Sequence, residues 1–359
     1  MASPLLDSRN RLRLAVFSPN MAGGANLTHS PDAPQLTWEE SARIARMAEA
    51  AGIEAIIPVA RWRGMAAPER RQAHRSFETF TWAAGIAAIT SRIQVFATFH
   101  IPVTHPVTAA KQIATVDHIS GGRFAVNLVA GWNSDEFRMF GLDQREHDDR
   151  YALANEWMTL LKRIWAAEEE FDFTGRYYRG TAILSEPKPL RPGGPIIMNA
   201  GFSPAGQDFA ARHADITFAM LPGIDAAAAL VAPIKERKPQ LRVFAAAHVV
   251  CAATDGQARA EYARMVGELG DRQAAERAIR LLIGSSRSGD FDGMVNAAIA
   301  GFFALPLVGS PETVVAQMAA LADAGVDGLA LSWLNYEAGL QQYADTLRPM
   351  LERAGLRQA

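Results

Sequence analysis

Short apolar runs alternate with longer amphipathic stretches along nearly the whole chain. The short runs are rich in aliphatic and β-branched residues and predict buried strands, whereas apolar residues spaced three to four apart predict helices between them. The predicted strands cover residues 12–18, 53–59, 93–98, 123–128, 196–199, 216–219, 243–252 and 328–332. This alternation indicates an α/β fold, and eight strands, the last so near the C-terminus, favour a closed TIM-type (β/α)8 barrel. A doubly wound open sheet is the main alternative.

Two segments exceed what a simple barrel requires. Residues 171–192, which follow the fourth strand and a long predicted helix over residues 150–169, have the pattern of a hairpin. Residues 255–307, after the seventh strand, are helical and then rich in Gly and Ser, which predicts a mobile lid. Neither segment has the composition of a separate domain. We therefore predict one barrel domain over residues 1–359, with insertions after strands 4 and 7.

The charge balance removes several classes of partner. Lys and Arg total 36 while Asp and Glu total 38, so the net charge of −2 gives no basic surface for nucleic acid or an anionic membrane. No run of about 18 apolar residues predicts a membrane span, and the polar N-terminal residues do not resemble a secretory signal. The single cysteine, Cys251, lies among apolar residues, so we expect a buried inert thiol and a cytoplasmic protein.

The most informative segment is DHISGGRFAVNLVAGW, residues 117–132. It predicts a helix end, a tight Ser-Gly-Gly turn and a buried strand that contains Asn127 and is followed by Trp132. A buried strand gains nothing from an amide, because an unpaired amide costs roughly 1–3 kcal/mol. We therefore expect Asn127 to point at a ligand beyond the carboxyl end of the strand, where a parallel barrel gathers its chemistry.

Polar residues follow the ends of other predicted strands as well. The stretch ARWRG (60–64) follows the second strand, Thr98 closes the third, and Glu136 comes shortly after the fourth. The stretch AGFS (200–203) follows the fifth strand and leads into a helix, whose free N–H groups predict an anion site. Arg150 lies near a predicted helix start, where a cation is unfavourable unless it faces an anion such as a phosphate.

Other catalytic classes lack their motifs. The eight histidines include no pair with a carboxylate at zinc-site spacing, and His100 and His105 straddle Pro102 as poor joint ligands, so no metal is predicted. The chain has no GxSxG nucleophile elbow, no GxxxxGK[ST] phosphate loop and no GxGxxG dinucleotide fingerprint. A hydrolase, a nucleoside triphosphatase or an enzyme that itself binds NAD(P)H is therefore disfavoured.

Taken together, these segments resemble the bacterial-luciferase-like flavin monooxygenases. The resemblance covers about residues 12–352 and is specific in SRIQVFAT (91–98), AAKQIATVDHISGGRFAVNLVAGW (109–132), the Asp149-Arg150-Tyr151 helix start and AGFS (200–203). Within the family, the chain most resembles the branch of pyrimidine monooxygenase and dimethylsulfone monooxygenase. The family has the TIM-barrel fold, which agrees with the strand count.

The resemblance implies a two-component monooxygenase that uses reduced FMN and O2 to oxygenate a small organic molecule through a flavin-peroxide. Sulfones, pyrimidine-like amides and halogenated aromatics are the implied substrates. A separate NAD(P)H:flavin reductase is expected to supply the reduced FMN, and the family predicts a homodimer or homotetramer. An F420-dependent oxidoreductase on the same barrel and a non-catalytic flavin-binding protein are the alternatives.

The resemblance also implies roles for individual residues. The cofactor-binding set, which includes the predicted anion site, is Ala60, Arg61, Asn127, Glu136, Arg150, Tyr151, Gly201 and Ser203. The oxygen pocket of the pyrimidine enzymes corresponds to Ile57, Thr98, Asn127 and Trp132, with Ile57 in place of a leucine. We expect Asn127 and Thr98 to stabilise the oxygenated flavin.

The chain departs from the family's sulfonate enzymes on the substrate side. Two arginine positions of those enzymes correspond to Ala246 and to a residue near Ala300, and a histidine and a tyrosine correspond to Asn20 and Leu334. A sulfonate needs paired cationic donors, so we predict a more apolar or neutral-polar substrate side. His248 is retained in type and is a candidate catalytic or substrate-binding residue. Further candidates for the substrate side are Phe17, Asn20 and Phe99.

Overall fold

The computed structural model describes residues 3–64, 75–201, 203–283, 291–302 and 304–358. Its centre is a ring of eight parallel strands. The ring strands are β1 (Arg13–Phe17), β2 (Ala55–Ile57), β3 (Gln94–His100), β4 (Phe124–Val129), β7 (Ile196–Asn199), β8 (Ile216–Ala219), β9 (Arg242–Cys251) and β11 (Gly328–Ser332). The remaining strands are β5 (Phe171–Thr174), β6 (Arg179–Ile183) and β10 (Leu305–Gly309).

Main-chain hydrogen bonds close the ring. Strand β1 pairs with both β2 and β11, while β9 pairs with both β8 and β11. The order around the barrel is β9, β11, β1, β2, β3, β4, β7, β8 and again β9. The predicted (β/α)8 barrel is therefore confirmed, and the open-sheet alternative is wrong.

Side-chain alternation along the strands determines what reaches the barrel mouth. Phe96 on β3 and Ala125 on β4 are buried inside the barrel. Successive side chains of a strand point to opposite faces, so residues two positions further on lie on the same side. Thr98 and Asn127 occupy those positions, and the register pairs them directly. The pattern thus places both polar side chains inside the barrel at its carboxyl end.

Helices surround the barrel and pack on it through a large apolar layer. They are α1 (Trp38–Ala50), α2 (Thr79–Ile89), α3 (Pro106–Ser120), α4 (Ser134–Met139), α5 (His147–Ala166), α6 (Pro204–His213), α7 (Ala227–Arg237), α8 (Asp255–Gly267), α9 (Arg272–Ile283), α10 (Phe291–Gly301), α11 (Pro311–Asp323), α12 (Tyr336–Gln342) and α13 (Arg348–Arg353). Among the helices of the described segments, none combines the length and apolar composition that a membrane crossing needs.

Helix α5 begins and ends three residues earlier than predicted. The prediction was 150–169, whereas the helix spans His147–Ala166. Asp148 and Asp149 lie in its first turn, where the helix dipole favours acidic side chains. The acidic run 168–170 is unfavourable at a helix C-terminus for the same reason, and it lies outside the helix. Arg150 is therefore inside the first turns of α5 rather than at its start.

The insertion after the seventh barrel strand contains α8, α9 and α10 and returns as β10, a strand that the sequence did not predict. Residues 305–307, the first of β10, fall within the segment predicted as a lid. Strand β10 pairs in parallel with the outer half of β9, outside the closed ring, so it is an edge strand. Asp255 Oδ1, at the start of α8, accepts hydrogen bonds from the Ser310 N–H at 2.8 Å and the Thr313 hydroxyl at 2.8 Å. One carboxylate thus joins the two ends of the insertion.

The insertion after the fourth barrel strand matches its prediction. Strands β5 and β6 form an antiparallel hairpin within the predicted 171–192 segment. It lies beside the N-terminal half of α5, because Glu156 accepts hydrogen bonds from the main-chain N–H groups of Arg176, Tyr177 and Tyr178 at 2.8 Å each. The hairpin is therefore tied to α5, the helix that carries Arg150 and Tyr151.

A buried ion pair secures the opposite end of the barrel. Glu54, directly before β2, lies 3.0 Å from Arg357 and accepts the Leu14 N–H at 2.9 Å, with both charged groups almost fully buried. We expect Glu54→Ala to lower the free energy of unfolding by about 3–5 kcal/mol, because it leaves the arginine buried without a counter-charge. Urea denaturation measures this effect. Glu337→Ala removes the exposed pair with Arg43 and should leave the midpoint unchanged; equal losses in both variants would contradict the prediction.

Candidate active site

The amide of Asn127 is held by a short hydrogen-bond chain. Its Nδ2 donates to Thr98 Oγ1 at 3.3 Å, and Thr98 Oγ1 donates to the Pro58 carbonyl at 2.5 Å. Because a carbonyl can only accept, the threonine hydrogen is committed to Pro58 and the threonine lone pair must face an amide N–H. This fixes the orientation of the amide. Asn127 Oδ1 is then a buried acceptor without a partner among the described residues.

Arg61 lies in the loop after β2, beside two neighbouring aromatic rings. Its guanidinium carbon is 5.0 Å from the centroid of the Trp132 ring and 4.8 Å from that of Phe302. Trp132 follows β4 and Phe302 directly follows α10, so these contacts join the barrel to the insertion. The arginine side chain is buried, and this burial lowers the pKa of the guanidinium while the field of Glu136 opposes the shift.

Glu136 on α4 connects the loops after β2 and β3. Its Oε1 accepts the main-chain N–H groups of Trp62 and Arg63 at 3.1 and 3.3 Å. Its Oε2 has no hydrogen-bond partner in the described part of the chain and lies 3.7 Å from Nδ1 of His100, the last residue of β3. Burial raises the pKa of Glu136, partly offset by Arg61, and burial together with Arg61 lowers the pKa of His100 to about 3. His100 is therefore neutral at physiological pH.

A second polar cluster lies beside β7 and α6. The Ser203 hydroxyl caps α6 by accepting the Gly206 N–H at 3.2 Å, and it also forms a hydrogen bond with Tyr151. A Cβ atom on Gly201 would lie 2.7 Å from both the Tyr151 hydroxyl and the Gly206 Cα, so only glycine fits here. Burial raises the pKa of the Tyr151 phenol, which keeps it a hydrogen-bond donor.

Arg150 links this cluster to the end of β4. Its Nη1 donates to the Gly131 carbonyl, and its charge influences the neighbouring Tyr151. The Arg150 Nε is buried and has no partner among the described residues. Tyr151 and Ser203 are thus in hydrogen-bond contact beside Gly201, while Arg150, which precedes Tyr151 on α5, extends toward Gly131 at the end of β4.

Two cavities open beside Arg61. The larger, which we call the β2–β3 cavity, has a volume of about 840 Å³ and is lined by Ala60, Arg61, Thr98, Phe99 and His100 among others. The smaller, the first-loop cavity, has a volume of about 250 Å³ and lies among Phe17, the loop after β1, Arg61 and Phe302. A volume of several hundred Å³ is typical of sites for small organic ligands.

His248 lies apart from these residues. It is on β9, four strands around the ring from β3, and is fully buried, with Nδ1 3.0 Å from the Ser332 hydroxyl. A Cβ on Gly301 of α10 would lie 3.0 Å from the His248 Cβ, so the end of α10 packs directly against this side chain. His248 lines neither cavity. Ile57 is fully buried inside the barrel, with its carbonyl accepting the Ser18 N–H at 2.9 Å.

The burial of His248 makes stability depend on pH. Burial lowers its pKa in the folded protein to about 3, whereas an unfolded chain has a value of about 6.5. Between these values the unfolded state binds the extra proton, so stability falls as pH falls from about 6.5 toward 3. We expect His248 alone to cost roughly 2 kcal/mol between pH 7 and pH 5. Urea midpoints at both pH values measure this loss, which His248→Asn should reduce; an unchanged slope would contradict the assignment.

Sequence reasoning missed two residues of the site and misplaced one. His100 was considered only as a metal ligand, although it lies two positions after Thr98 on the same strand face. Phe302 gave no signal. Asn20, predicted to face the substrate, is instead fully buried, donating to the carbonyls of Val59 and Phe77 at 2.9 and 3.1 Å. Phe202 and the Gly- and Ser-rich stretch 284–290 lie outside the described residues.

Comparison with known proteins decides the family. The model of the luciferase-like monooxygenase family matches residues 12–328. The chain belongs to this family. The resemblance inferred from the sequence motifs is therefore confirmed over residues 12–328.

Two curated relatives are FMNH2-dependent dimethylsulfone monooxygenase of Pseudomonas fluorescens (strain Pf0-1) and pyrimidine monooxygenase RutA of Stutzerimonas stutzeri (strain A1501). The first is 28% identical over 357 residues, covering 96% of this chain and 95% of the relative. The second is 29% identical over 360 residues, covering 94% and 96%. Both relatives belong to the predicted branch and are monooxygenases. The name of the first also states the predicted dependence on FMNH2.

A solved structure supports the luciferase-like fold. Riboflavin lyase RcaE, crystallised with modified FMN and riboflavin, superposes with a TM-score of 0.84 at 20% identity, covering 96% of this chain and 92% of that one. At this identity the likeness shows the fold alone.

The residues at the mouth of this luciferase-like barrel fit a flavin mononucleotide. Asn127 Oδ1, Glu136 Oε2 and Arg150 Nε are buried polar atoms for which the described ranges offer no partner, and such atoms are costly unless a ligand satisfies them. The cluster of Arg150, Tyr151 and Ser203 offers a cation and hydroxyl groups at a helix N-terminus, which suits a phosphate. The described segments contain no group of His, Cys, Asp and Glu suited to a metal ion.

Proposed function

We propose that this chain is a two-component monooxygenase that binds reduced FMN at the barrel mouth and oxygenates a small organic substrate with O2. Three polar atoms, on Asn127 of β4 and on Glu136 and Arg150 of the two helices that follow it, are buried without a partner among the described residues of this luciferase-like barrel, and they carry the proposal. The names of the curated relatives support the same chemistry.

Arg150, Tyr151 and Ser203 hold the phosphate of the cofactor in this proposal. The guanidinium supplies charge, the two hydroxyl groups donate hydrogen bonds, and the first turn of α6 adds main-chain N–H groups. Gly201 lets the chain pass close to Tyr151 without a clash. These groups lie on α5 and α6, rigid elements, so the anchor is preorganised.

In this proposal the side chains of Asn127, Thr98 and Trp132 surround the isoalloxazine ring of the cofactor. Ile57, which is fully buried inside the barrel, forms the base of that pocket. Bound reduced FMN supplies the electrons that activate O2. Asn127 Oδ1 accepts a hydrogen bond from a ring N–H, and the second Nδ2 hydrogen remains free to donate. Trp132, Phe302 and the apolar strand ends exclude water, which strengthens these hydrogen bonds in a low-dielectric site. Ala60, Arg61 and Glu136 complete the ring pocket. His248 is proposed to act only indirectly, by supporting the lid helix α10.

The remaining features of the proposal concern the assembly. The chain works as one domain, residues 1–359, with residues 255–307 as its lid. A separate NAD(P)H:flavin reductase supplies reduced FMN, in keeping with the missing dinucleotide fingerprint. The enzyme is cytoplasmic and forms a homodimer or homotetramer, as expected from the family resemblance. A sulfone, a pyrimidine-like amide or a related compound is its substrate.

Oxygen uptake in the presence of FMN, NADH and a purified flavin reductase tests this function. We expect one compound of a panel containing dimethyl sulfone, uracil and halogenated phenols to yield a product that carries one atom from ¹⁸O2, as detected by mass spectrometry. The control omits this protein but keeps the reductase. Tight binding of oxidised FMN without any product would indicate a storage protein, and reduction of substrate with F420 in place of FMN would indicate the other alternative.

A further inference from the structure

Main-chain hydrogen bonds join the insertion after the seventh barrel strand to the loop after β1. The Leu27 carbonyl accepts the Asp271 N–H at 2.8 Å, and the His29 N–H donates to the Leu269 carbonyl at 2.7 Å. Asp271 directly precedes α9. Breaking such bonds leaves main-chain groups without partners, which is costly in a packed region. The insertion is therefore firmly attached to the barrel along this edge.

One face of α9 packs against Trp132. Ala274 and Ala278 are buried in a small apolar cluster, and the side chains of Trp132 and Leu281 pack against that cluster. Positions 274, 278 and 281 recur at the spacing of a single helix face, and position 277 lies on the same face. The sequence of α9 therefore places small apolar residues against the indole and a cation, Arg277, directly beside them.

Arg277 extends from this face of α9 to the neighbouring helix α4. Its Nη2 donates to Asp135 Oδ2 at 3.0 Å, and both side chains are partly exposed. The Asn133 side chain accepts the Asp135 N–H at 3.1 Å, which fixes the acceptor one position before Glu136. Ion pairs that are partly exposed contribute little free energy and weaken as salt is added. The contact with α4 is therefore easier to break than the main-chain contact with the loop after β1.

We propose that Arg277 is a positioning residue, which holds α9 against α4 through Asp135 and thereby closes the flavin site beside Trp132. Trp132 is one of the side chains that surround the flavin ring in the proposed function. With the ion pair formed, α9 stays packed on the indole and keeps water out while oxygen is transferred. With the pair broken, the insertion stays attached at the loop after β1 and separates from α4. The inference rests on the proposed monooxygenase function.

The rate of flavin release measures this closure. Stopped-flow dilution of the FMNH2-loaded enzyme under anaerobic conditions gives the dissociation rate from the change in fluorescence. We expect Arg277→Met to raise this rate about 3- to 10-fold and to divert part of the product into hydrogen peroxide. Reduced riboflavin should be released faster by the same factor, because the ion pair acts on the edge of the site and not on the phosphate. The difference from wild type should shrink between about 0.05 M and about 0.5 M NaCl, since salt screens the pair.

A double-mutant cycle assigns the effect to the pair. Asp135→Asn should raise the release rate by the same factor as Arg277→Met, and the double variant should raise it no further, because each single change already breaks the contact. Arg277→Lys keeps the charge and should stay near the wild-type rate. Arg280→Met is the matched control, since Arg280 pairs with Glu276 of the same helix at 2.9 Å and should release flavin as wild type does. Urea midpoints should be alike in all these variants.

The outcomes separate this assignment from the proposed function. A wild-type release rate in Arg277→Met would overturn the assignment, and so would effects that multiply in the double variant. Faster release of FMNH2 but not of reduced riboflavin would also overturn it, since Arg277 would then bind the phosphate. In each of these cases FMNH2 binding and product formation by the wild-type enzyme would still support the monooxygenase. Failure of the wild-type enzyme to bind FMNH2 would instead reject the proposed function itself.

Discussion

Asn127→Ala is expected to lower the rate of substrate oxygenation by about 100- to 1000-fold, the effect of removing one preorganised donor from an active site. The amide is fixed through Thr98 to the Pro58 carbonyl, and its oxygen lacks any other partner. Alanine removes both the acceptor and the free N–H, so reduced flavin should still bind and react with O2 while the oxygen is lost as hydrogen peroxide. The ratio of product to hydrogen peroxide in single-turnover reactions measures this uncoupling.

Asn335→Ala is the matched control for Asn127→Ala. Asn335 is exposed and caps α12 by accepting the Ala338 N–H at 3.0 Å, so its loss should leave the product ratio unchanged. Thr98→Val keeps the shape of the threonine but removes the anchor of the amide, and we expect an intermediate loss. A wild-type product ratio in Asn127→Ala would show that the amide has only a structural role.

Arg150→Met is expected to raise the dissociation constant for FMNH2 by about 10- to 100-fold, the usual effect of removing one charged hydrogen bond. Riboflavin has the same ring system but no phosphate, so its reduced form should bind the variant and the wild-type protein alike. Anaerobic fluorescence titration with both flavins therefore reports on the phosphate contact alone. The preference for FMNH2 over reduced riboflavin should shrink in proportion to the lost affinity.

Arg145→Met is the control for the loss of FMNH2 affinity, because Arg145 lines the same cavity as Arg150 but is paired with Asp149 at 2.8 Å. This variant should keep the full preference for FMNH2. Arg150 Nη1 also donates a hydrogen bond to the Gly131 carbonyl, so removal of the arginine can disturb the end of β4. Equal weakening of FMNH2 and riboflavin binding in Arg150→Met would indicate that disturbance and would remove Arg150 from the phosphate site.

The barrel was predictable because each of its strands has a local signal. The run from Phe124 to Val129 is apolar, follows a Gly turn and contains an amide, and all three features survive in β4. Strand β10 carries no such signal. It is five residues long and contains Pro306, which is disfavoured inside a sheet and tolerated at an edge. Its pairing with β9 depends on the path of the insertion, which local pattern does not encode.

The site was predictable only where a polar residue lies near the carboxyl end of a strand or just beyond it. Asn127, Thr98 and the cluster around Ser203 were found by that rule. The contact between Arg61 and Phe302 joins residues that are distant in sequence. It forms only because α10 packs near the carboxyl end of the barrel. The neutral state of His100 has the same origin, since it arises from burial against Arg61 rather than from any neighbour in sequence. Such properties belong to the tertiary arrangement.

The carboxylate of Asp255 has an evolutionary consequence. Because Asp255 joins the start of the insertion to Ser310 and Thr313 at its end, residues added or removed between these points leave the two ends together and need not move the strands that carry Asn127 and Thr98. Phe302 directly follows α10, the last helix of the insertion, and its ring contacts Arg61 at the barrel mouth. Changes in this insertion can thus alter the range of substrates, while the residues proposed to act on oxygen remain the same.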